Sequence, residues 1–148
     1  MVRVYIALGT NLGDRKVNLL SARDQIHGLE GVTLLAESSI LETEPVDFLD
    51  QPDFMNQMIE VKTSRDPVML LEALLDIEEG MGRKRDVLKG PRIIDCDIVL
   101  YGSLVMESGF LTIPHPRRLE RDFIVRHLVE LNPELKDPVT GKLFREYL

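Results

Sequence analysis

Two acidic residues, Asp95 and Asp97, stand one residue apart inside the apolar run GPRIIDCDIVLYG, residues 90–102. Glycines bound the run, and the β-branched and apolar residues between them read as a buried strand. Side chains alternate along a strand, so Ile94, Cys96, Ile98 and Leu100 are expected on one face and Ile93, Asp95, Asp97 and Val99 on the other. Two carboxylates at this spacing lie about 6–7 Å apart at Cα. In apolar surroundings they repel one another and resist ionisation. A hard divalent cation relieves both effects, and Mg²⁺ commonly takes one or two carboxylates together with substrate phosphates. Arg92, just upstream, would stand at the mouth of the strand as a phosphate partner. An isolated D-x-D is more often a solvated charge ladder; the apolar strand and Arg92 favour a metal site here.

The cations are grouped around this pair. Residues 82–92 carry Arg83, Lys84, Arg85, Lys89 and Arg92 against Asp86, and residues 115–126 carry Arg117, Arg118, Arg121 and Arg126 against Glu120 and Asp122. The whole chain has a net charge of −7, which argues against general nucleic-acid binding. Two basic patches beside an acidic pair suit a compact polyanion held by metal and arginine. The stretch from Gly82 to Lys89 is nearly free of large apolar residues, so it is expected to be mobile without ligand and to close over phosphates through Arg83 and Arg85. His115 is held extended between Pro114 and Pro116, near Arg121, and is a candidate phosphate contact. Phe54 and Phe123 are core residues on base rates. Asn56 shares Phe54's strand face, where an apolar residue is expected; a buried amide needs partners, and the edge of a heterocycle would supply them.

The elements that must position these groups follow from periodicity. The chain of 148 residues, 44% hydrophobic and 29% charged, suits one domain with its own core, spanning 1–148. One cysteine, Cys96, excludes an internal disulfide and fits a reducing cytosol; it is expected in the core. No apolar run is long enough for a bilayer, and MVRVYIALGTN enters strand alternation directly without a secretory leader, so the expected location is cytoplasmic. Val2 to Leu8 alternates as a strand. GTNLGD lacks the Lys-Ser/Thr of a phosphate loop and reads as a plain turn into a helix with Leu19, Ala22, Ile26 and Leu29 on its stripe, stopped by Gly28 and Gly31. Val32 to Thr43 reads as one long strand, 44–53 as a loop, and Phe54 to Thr63 as a third strand. Asp66-Pro67 starts a helix with Leu70, Leu71, Leu74, Ile77 and Met81 facing the core. Its last turns hold Asp76, Glu78 and Glu79, acids set against the helix dipole. After the basic stretch and the Asp95/Asp97 strand comes one more helix at about 121–131, then a turn at DPVTG. The order βαββαβ predicts a ferredoxin-like α+β sandwich, an antiparallel sheet with two helices on one face and a C-terminal helical extension.

Taken together, ALGTNLGDR, SSILETEP, DQPDFMNQ, IEEGMGRKR, GPRIIDCDIVLYG and IPHPRRLERDF resemble the 6-hydroxymethyl-7,8-dihydropterin pyrophosphokinase family of the folate pathway, nearly end to end. The resemblance implies a ferredoxin-like monomer with ATP and the reduced pterin as small-molecule substrates, and no nucleic-acid or membrane partner. It implies two Mg²⁺ ions on Asp95 and Asp97, phosphate contacts from Arg83, Arg85 and Arg92, and nucleotide contacts from Glu78, Ile98, Thr112, His115 and Arg121. Thr43, Val46 and Asn56, with Asp95 beside them, would read the pterin edge, and Phe54 and Phe123 would stack on its faces. Lys89 and Phe110 stand where some members carry Trp and Arg, and His127 where Pro is usual. Two other classes fit less well. A two-metal nucleotidyltransferase would place a Gly-Ser helix start shortly before the acids, whereas Gly9-Thr10 is far upstream. A nucleotide-sensing module on the same sandwich would not require metal carboxylates, two arginine patches and a heterocycle slot.

Overall fold

Val4, Ile6 and Leu8 turn one face of β1 (Val2–Thr10) into the core, and all three are buried in the computed structural model, which describes residues 1–45, 50–82 and 93–148. β1 pairs antiparallel with β4 (Phe54–Thr63) from Val2↔Thr63 to Thr10↔Met55, and on its other side with β5 (Asp95–Tyr101). β2 (Val32–Glu37) lies beyond β4, giving the order β2-β4-β1-β5, and the short β3 (Leu41–Thr43) pairs with the start of β4. Helices α1 (Arg15–His27) and α2 (Pro67–Gly80) start where a short acid can cap them: Asp14 accepts the Val17 N–H and Asp66 the Met69 N–H. Leu19, Ala22 and Ile26 of α1 and Leu70, Leu74 and Ile77 of α2 pack in one cluster with Ile6, Leu8 and Cys96. This is the ferredoxin-like α+β arrangement that the βαββαβ order predicts. α3 (Asp122–Leu131) and a closing 3₁₀ turn, Phe144–Tyr147, cover part of the opposite face, where Ile124, Val125, Leu128 and Phe144 meet Tyr5, Met58 and Leu100. A small hairpin, β6 (Met106–Glu107) and β7 (Thr112–Ile113), packs beside β5.

Four details differ from the periodic pattern. The expected single strand Val32 to Thr43 is broken into β2 and β3 at Ser38, whose side-chain oxygen accepts the Met58 N–H while its carbonyl accepts the Gln57 amide. β1 continues through Gly9 and Thr10 rather than turning at them. β5 begins at Asp95, with Ile93 and Ile94 outside the strand. Leu100 does not share a face with Cys96 and Ile98. Tyr5 pairs with Leu100 but Ile6 with Ile98, so Val99 is an extra residue, and the bulge carries Leu100 into the α3 cluster. Among the described residues, no helix is long and apolar enough to cross a membrane.

Candidate functional site

Residues directly opposite in an antiparallel pair share a face. Gly9 pairs with Asn56 on one side and Asp95 on the other, and Ala7 with Met58 and Asp97. Asn56, Gly9 and Asp95 therefore form one row across three strands, on the face away from α1 and α2. A methyl group at Gly9 would lie 3.3 Å from Asn56 Oδ1 and 3.9 Å from the Phe54 ring. Gly9 has no left-handed φ, so what the missing side chain provides is room. Asn56 is 7% exposed; its Nδ2 donates to Thr43 Oγ1 at 2.7 Å and to the Leu41 carbonyl at 3.4 Å, with its Oδ1 turned toward Gly9. Thr43 pairs with Phe54, which is half-buried. Phe123, half-buried at the start of α3, lies on the same side of the sheet. The polar residue on an apolar face is thus satisfied from one side by its own strand neighbour and opens on a slot with a glycine floor.

Asp95 and Asp97 are both half-buried, while Cys96 between them is in the helix-side core, as the alternation predicts. Glu78 is 2% exposed, and its Oε2 accepts the Cys96 N–H at 2.7 Å. Among the described residues β5 is an edge strand of the sheet, so this carboxylate occupies a backbone donor that no further described strand covers. Glu78 thus holds the peptide between the two aspartates, which gives the acid near the α2 C-terminus its place. The donor set fits Mg²⁺: two hard carboxylates on one face, with no group of three or more potential His, Cys, Asp or Glu ligands among the described residues. An ion on Asp95 and Asp97 could take further oxygens from phosphate, as Mg²⁺ commonly does.

Beside Asp97, on the helix side of β5, lies a cavity of about 310 Å³, lined among others by Leu71 of α2, Asp97, Ile98, Phe110, Thr112 and His115. The sequence-predicted nucleotide residues Ile98, Thr112 and His115 are thus brought together beside one of the acids. Phe110, 66% exposed, places an aromatic ring at the rim of that cavity. The His115 N–H donates to the Val99 carbonyl at 2.9 Å, and its Nδ1 accepts the Arg117 N–H at 3.1 Å. A neutral ring with an occupied Nδ1 acceptor carries its proton on Nε2. Burial, then the charges of Arg121, Arg117 and Arg118, push its pKa down to about 4, so near neutral pH His115 is an uncharged N–H donor. Arg121 caps α3 with its backbone and is partly exposed. Val46, Arg83, Arg85, Lys89 and Arg92, and with them the expected closing loop, lie outside the described residues.

Gly9, Asn11 and Arg15 went unassigned in the sequence. Gly9 reads there as a turn residue, because nothing local shows that β1 runs past Leu8. Asn11, 1% exposed, donates to Gln51 Oε1 at 2.8 Å and to the Pro52 carbonyl at 2.9 Å, and Arg15 reaches the Asp53 carbonyl at 3.0 Å. The GTNLGD turn therefore fixes the segment that leads into Phe54. His127, on α3, is 1% exposed with no hydrogen-bond partner on Nε2 among the described residues, and burial holds its pKa below the ordinary value.

A profile of the family described as 7,8-dihydro-6-hydroxymethylpterin-pyrophosphokinase (HPPK) matches residues 5–133. Over 137 residues the chain is 43% identical to the 2-amino-4-hydroxy-6-hydroxymethyldihydropteridine pyrophosphokinase of Bacillus subtilis, covering 93% of this chain and 82% of that protein. Identity is 35% over 147 residues with the protein of the same name from Aquifex aeolicus, at 99% and 91% coverage. It is also 43% identical over 144 residues to the folic acid synthesis protein fol1 of Schizosaccharomyces pombe, at 97% coverage of this chain; it spans only 20% of that longer protein. The solved Plasmodium falciparum HPPK-DHPS with pteroate superposes with a TM-score of 0.77 over 99% of this chain and 41% of the other, at 18% identity, a likeness of fold. With the profile matched over most of its length and bacterial relatives matched nearly end to end, the chain belongs to the 7,8-dihydro-6-hydroxymethylpterin-pyrophosphokinase family.

Proposed function

We propose that the protein transfers the terminal pyrophosphate of ATP to the hydroxymethyl oxygen of 6-hydroxymethyl-7,8-dihydropterin, giving the pterin diphosphate and AMP. The observation that carries this is the position of the two acids. Asp95 shares a row with Gly9 and Asn56 at a slot for a flat heterocycle, while Asp97 lines a cavity with Ile98, Thr112 and His115. The acids thus stand between a heterocycle site and a nucleotide site, where a pyrophosphoryl group would pass from one to the other. In the slot, Thr43, Asn56 and the backbone of Val46 read the pterin edge, and Phe54 and Phe123 bracket its faces. In the cavity, Ile98 and Thr112 flank the adenosine and His115 donates Nε2–H to the nucleotide, with Arg121 adding positive charge. Arg83, Arg85 and Arg92 would hold the phosphates.

Asp95 and Asp97 would hold two Mg²⁺ ions. Bound there, Mg²⁺ neutralises phosphate charge as a Lewis acid. The hydroxymethyl oxygen attacks the β-phosphorus, the bond from that phosphorus to the α-phosphate's bridging oxygen breaks, AMP leaves and the hydroxyl proton is released. Such a transfer needs little covalent help, so the chain's part is alignment and charge stabilisation. The protein acts as one domain, a monomer in the cytoplasm, on these two small molecules. Incubation with ATP, Mg²⁺ and the reduced pterin should yield AMP; production of ADP, or no pterin-dependent nucleotide turnover, would overturn this function.

A further inference from the structure

Arg118 and Asp137 form a buried ion pair that neither the slot nor the acids explain. Asp137 has no exposed surface and Arg118 is 9% exposed. Arg118 Nε and Nη2 donate to the two oxygens of Asp137 at 2.5 and 3.0 Å, a two-pronged pairing. Asp137 also accepts the N–H groups of Val139 and Thr140, at 3.2 and 2.8 Å, and so shapes the turn at DPVTG. The third prong, Arg118 Nη1, donates to the His115 carbonyl at 3.2 Å, and the Arg118 backbone N–H donates to the same oxygen at 3.2 Å. His115 is thereby held through both of its backbone groups, by Val99 of β5 through its N–H and by Arg118 through its carbonyl.

The anchor is a segment added to the βαββαβ core. Asp137 lies past residue 133, where the family match ends, and its segment is fixed by Phe144, which is wholly buried in the α3 cluster. Burying an ion pair costs desolvation that attraction only partly offsets, and well-packed apolar residues often stabilise as much or more. Stability alone is therefore a weak reason for this pair. Orientation is a better one, because a planar guanidinium grips a carboxylate and a carbonyl at once in one fixed plane, a geometry that a hydrophobic contact or the rotatable donors of an ammonium do not impose.

We infer that Arg118 is a positioning residue for the nucleotide cavity, and that the Arg118–Asp137 strut lets the C-terminal segment set the place of His115. The inference rests on the proposal that this cavity takes ATP. It is tested by calorimetric titration of the full chain with α,β-methylene-ATP and Mg²⁺, and separately with the pterin, and by imidazole ¹⁵N shifts of His115 without ligand. The double variant Arg118→Met with Asp137→Asn removes both charges and leaves amide oxygen for the turn. It should melt cooperatively, bind the pterin within about twofold of wild type, and lose nucleotide affinity by about 3- to 30-fold, with the His115 shifts moving toward a mixture of tautomers. Arg118→Lys keeps a charge opposite Asp137 but loses the rigid fork that holds carboxylate and His115 carbonyl in one plane; it should show a smaller loss of the same kind, and it guards against misfolding of the double variant. Wild-type nucleotide affinity and unchanged His115 shifts in a folded Arg118→Lys or double variant would overturn the strut while leaving the function standing. A wild-type protein that does not bind the nucleotide analogue would instead overturn the proposed function, and the strut's role with it.

Discussion

The two faces of the sheet are made from alternate residues of the same strands, yet they are built to different rules. Toward α1 and α2, Val4, Ile6 and Leu8 meet Ile59, Val61, Cys96 and Ile98 in one apolar layer, with the buried amide of Gln57 opposite Leu8. On the other face the residues of β1 shrink from Tyr5 to Ala7 to Gly9, while their β4 partners change from Glu60 and Met58 to Asn56. On β5 the same face goes from Leu100, set there by the Val99 bulge, back to Asp97 and Asp95. One half of this face is covered by α3 and Phe144; the other is cut back to Gly9 on β1, bordered by the Phe54 ring, and given oxygen and amide groups. A face that only has to fold is filled, because burial of apolar area stabilises it. A face that has to bind is hollowed at one end, and the missing packing there is left for ligand. Substitutions on the two faces should therefore fail in different assays.

The sharpest break should come from the acids. Asp95→Asn or Asp97→Asn is expected to lower turnover by on the order of 10³-fold, at the upper end of what one electrostatic group contributes. The melting temperature without metal should hold or rise, since one of two like charges is removed. An AMP-release assay beside a thermal melt reads both, and near-native turnover in either variant at ordinary Mg²⁺ would end the metal assignment. On the filled face, Leu74→Ala should instead destabilise by about 2–5 kcal/mol while KM for both substrates stays near wild type, because the cavity opens among the helix-side core residues and not on the face that carries the acids. Denaturant unfolding tests this, and a selective change in one KM would mean that the two faces are not separable.

The slot should show a smaller, selective effect. Phe54→Ala and Gly9→Ala should each weaken pterin binding by about 1–3 kcal/mol, one by removing a stacking surface and the other by adding a methyl 3.3 Å from Asn56 Oδ1. Nucleotide affinity should barely change; equal losses for both ligands by calorimetry would place Phe54 in the core instead. The gentlest test concerns acid. His115 has its folded pKa depressed to about 4, so the unfolded chain binds a proton that the folded chain refuses. Stability from this group is complete above its ordinary value near 6.5 and is lost as pH falls toward 4. Asp137, whose burial raises its pKa but whose bonds to Arg118 and the Thr140 N–H lower it further, acts in the same direction below the ordinary carboxylate range. Urea unfolding at stepped pH should show this decline; His115→Gln should flatten the part between about 6.5 and 4, and an unchanged slope there would show that His115 is not buried neutral.

Much of this was legible in the residues. Period-2 alternation placed β1, β4 and the two faces of Asp95, Cys96 and Asp97, and the Asp66-Pro67 cap placed α2, because local sterics and capping do not depend on distant chain. Asn56 could be singled out because a polar residue on an apolar strand face is visible without knowing its partners. Alternation misplaced Leu100, however, since a bulge is decided by the register of the opposing strand. It also joined β2 to β3, because the break at Ser38 depends on hydrogen bonds to Gln57 and Met58 some twenty residues away.

By itself the sequence determined the local elements, the charge pattern and the acidic pair, all properties of neighbours along the chain. Only the tertiary structure decided that Gly9 is a floor between Asn56 and Asp95, that Glu78 holds the peptide between the acids, and that Arg118 reaches from Asp137 to the His115 carbonyl. Each of these depends on which strand, helix or turn arrives next to which. That choice is made by the burial of whole faces, and no spacing within a single element contains it.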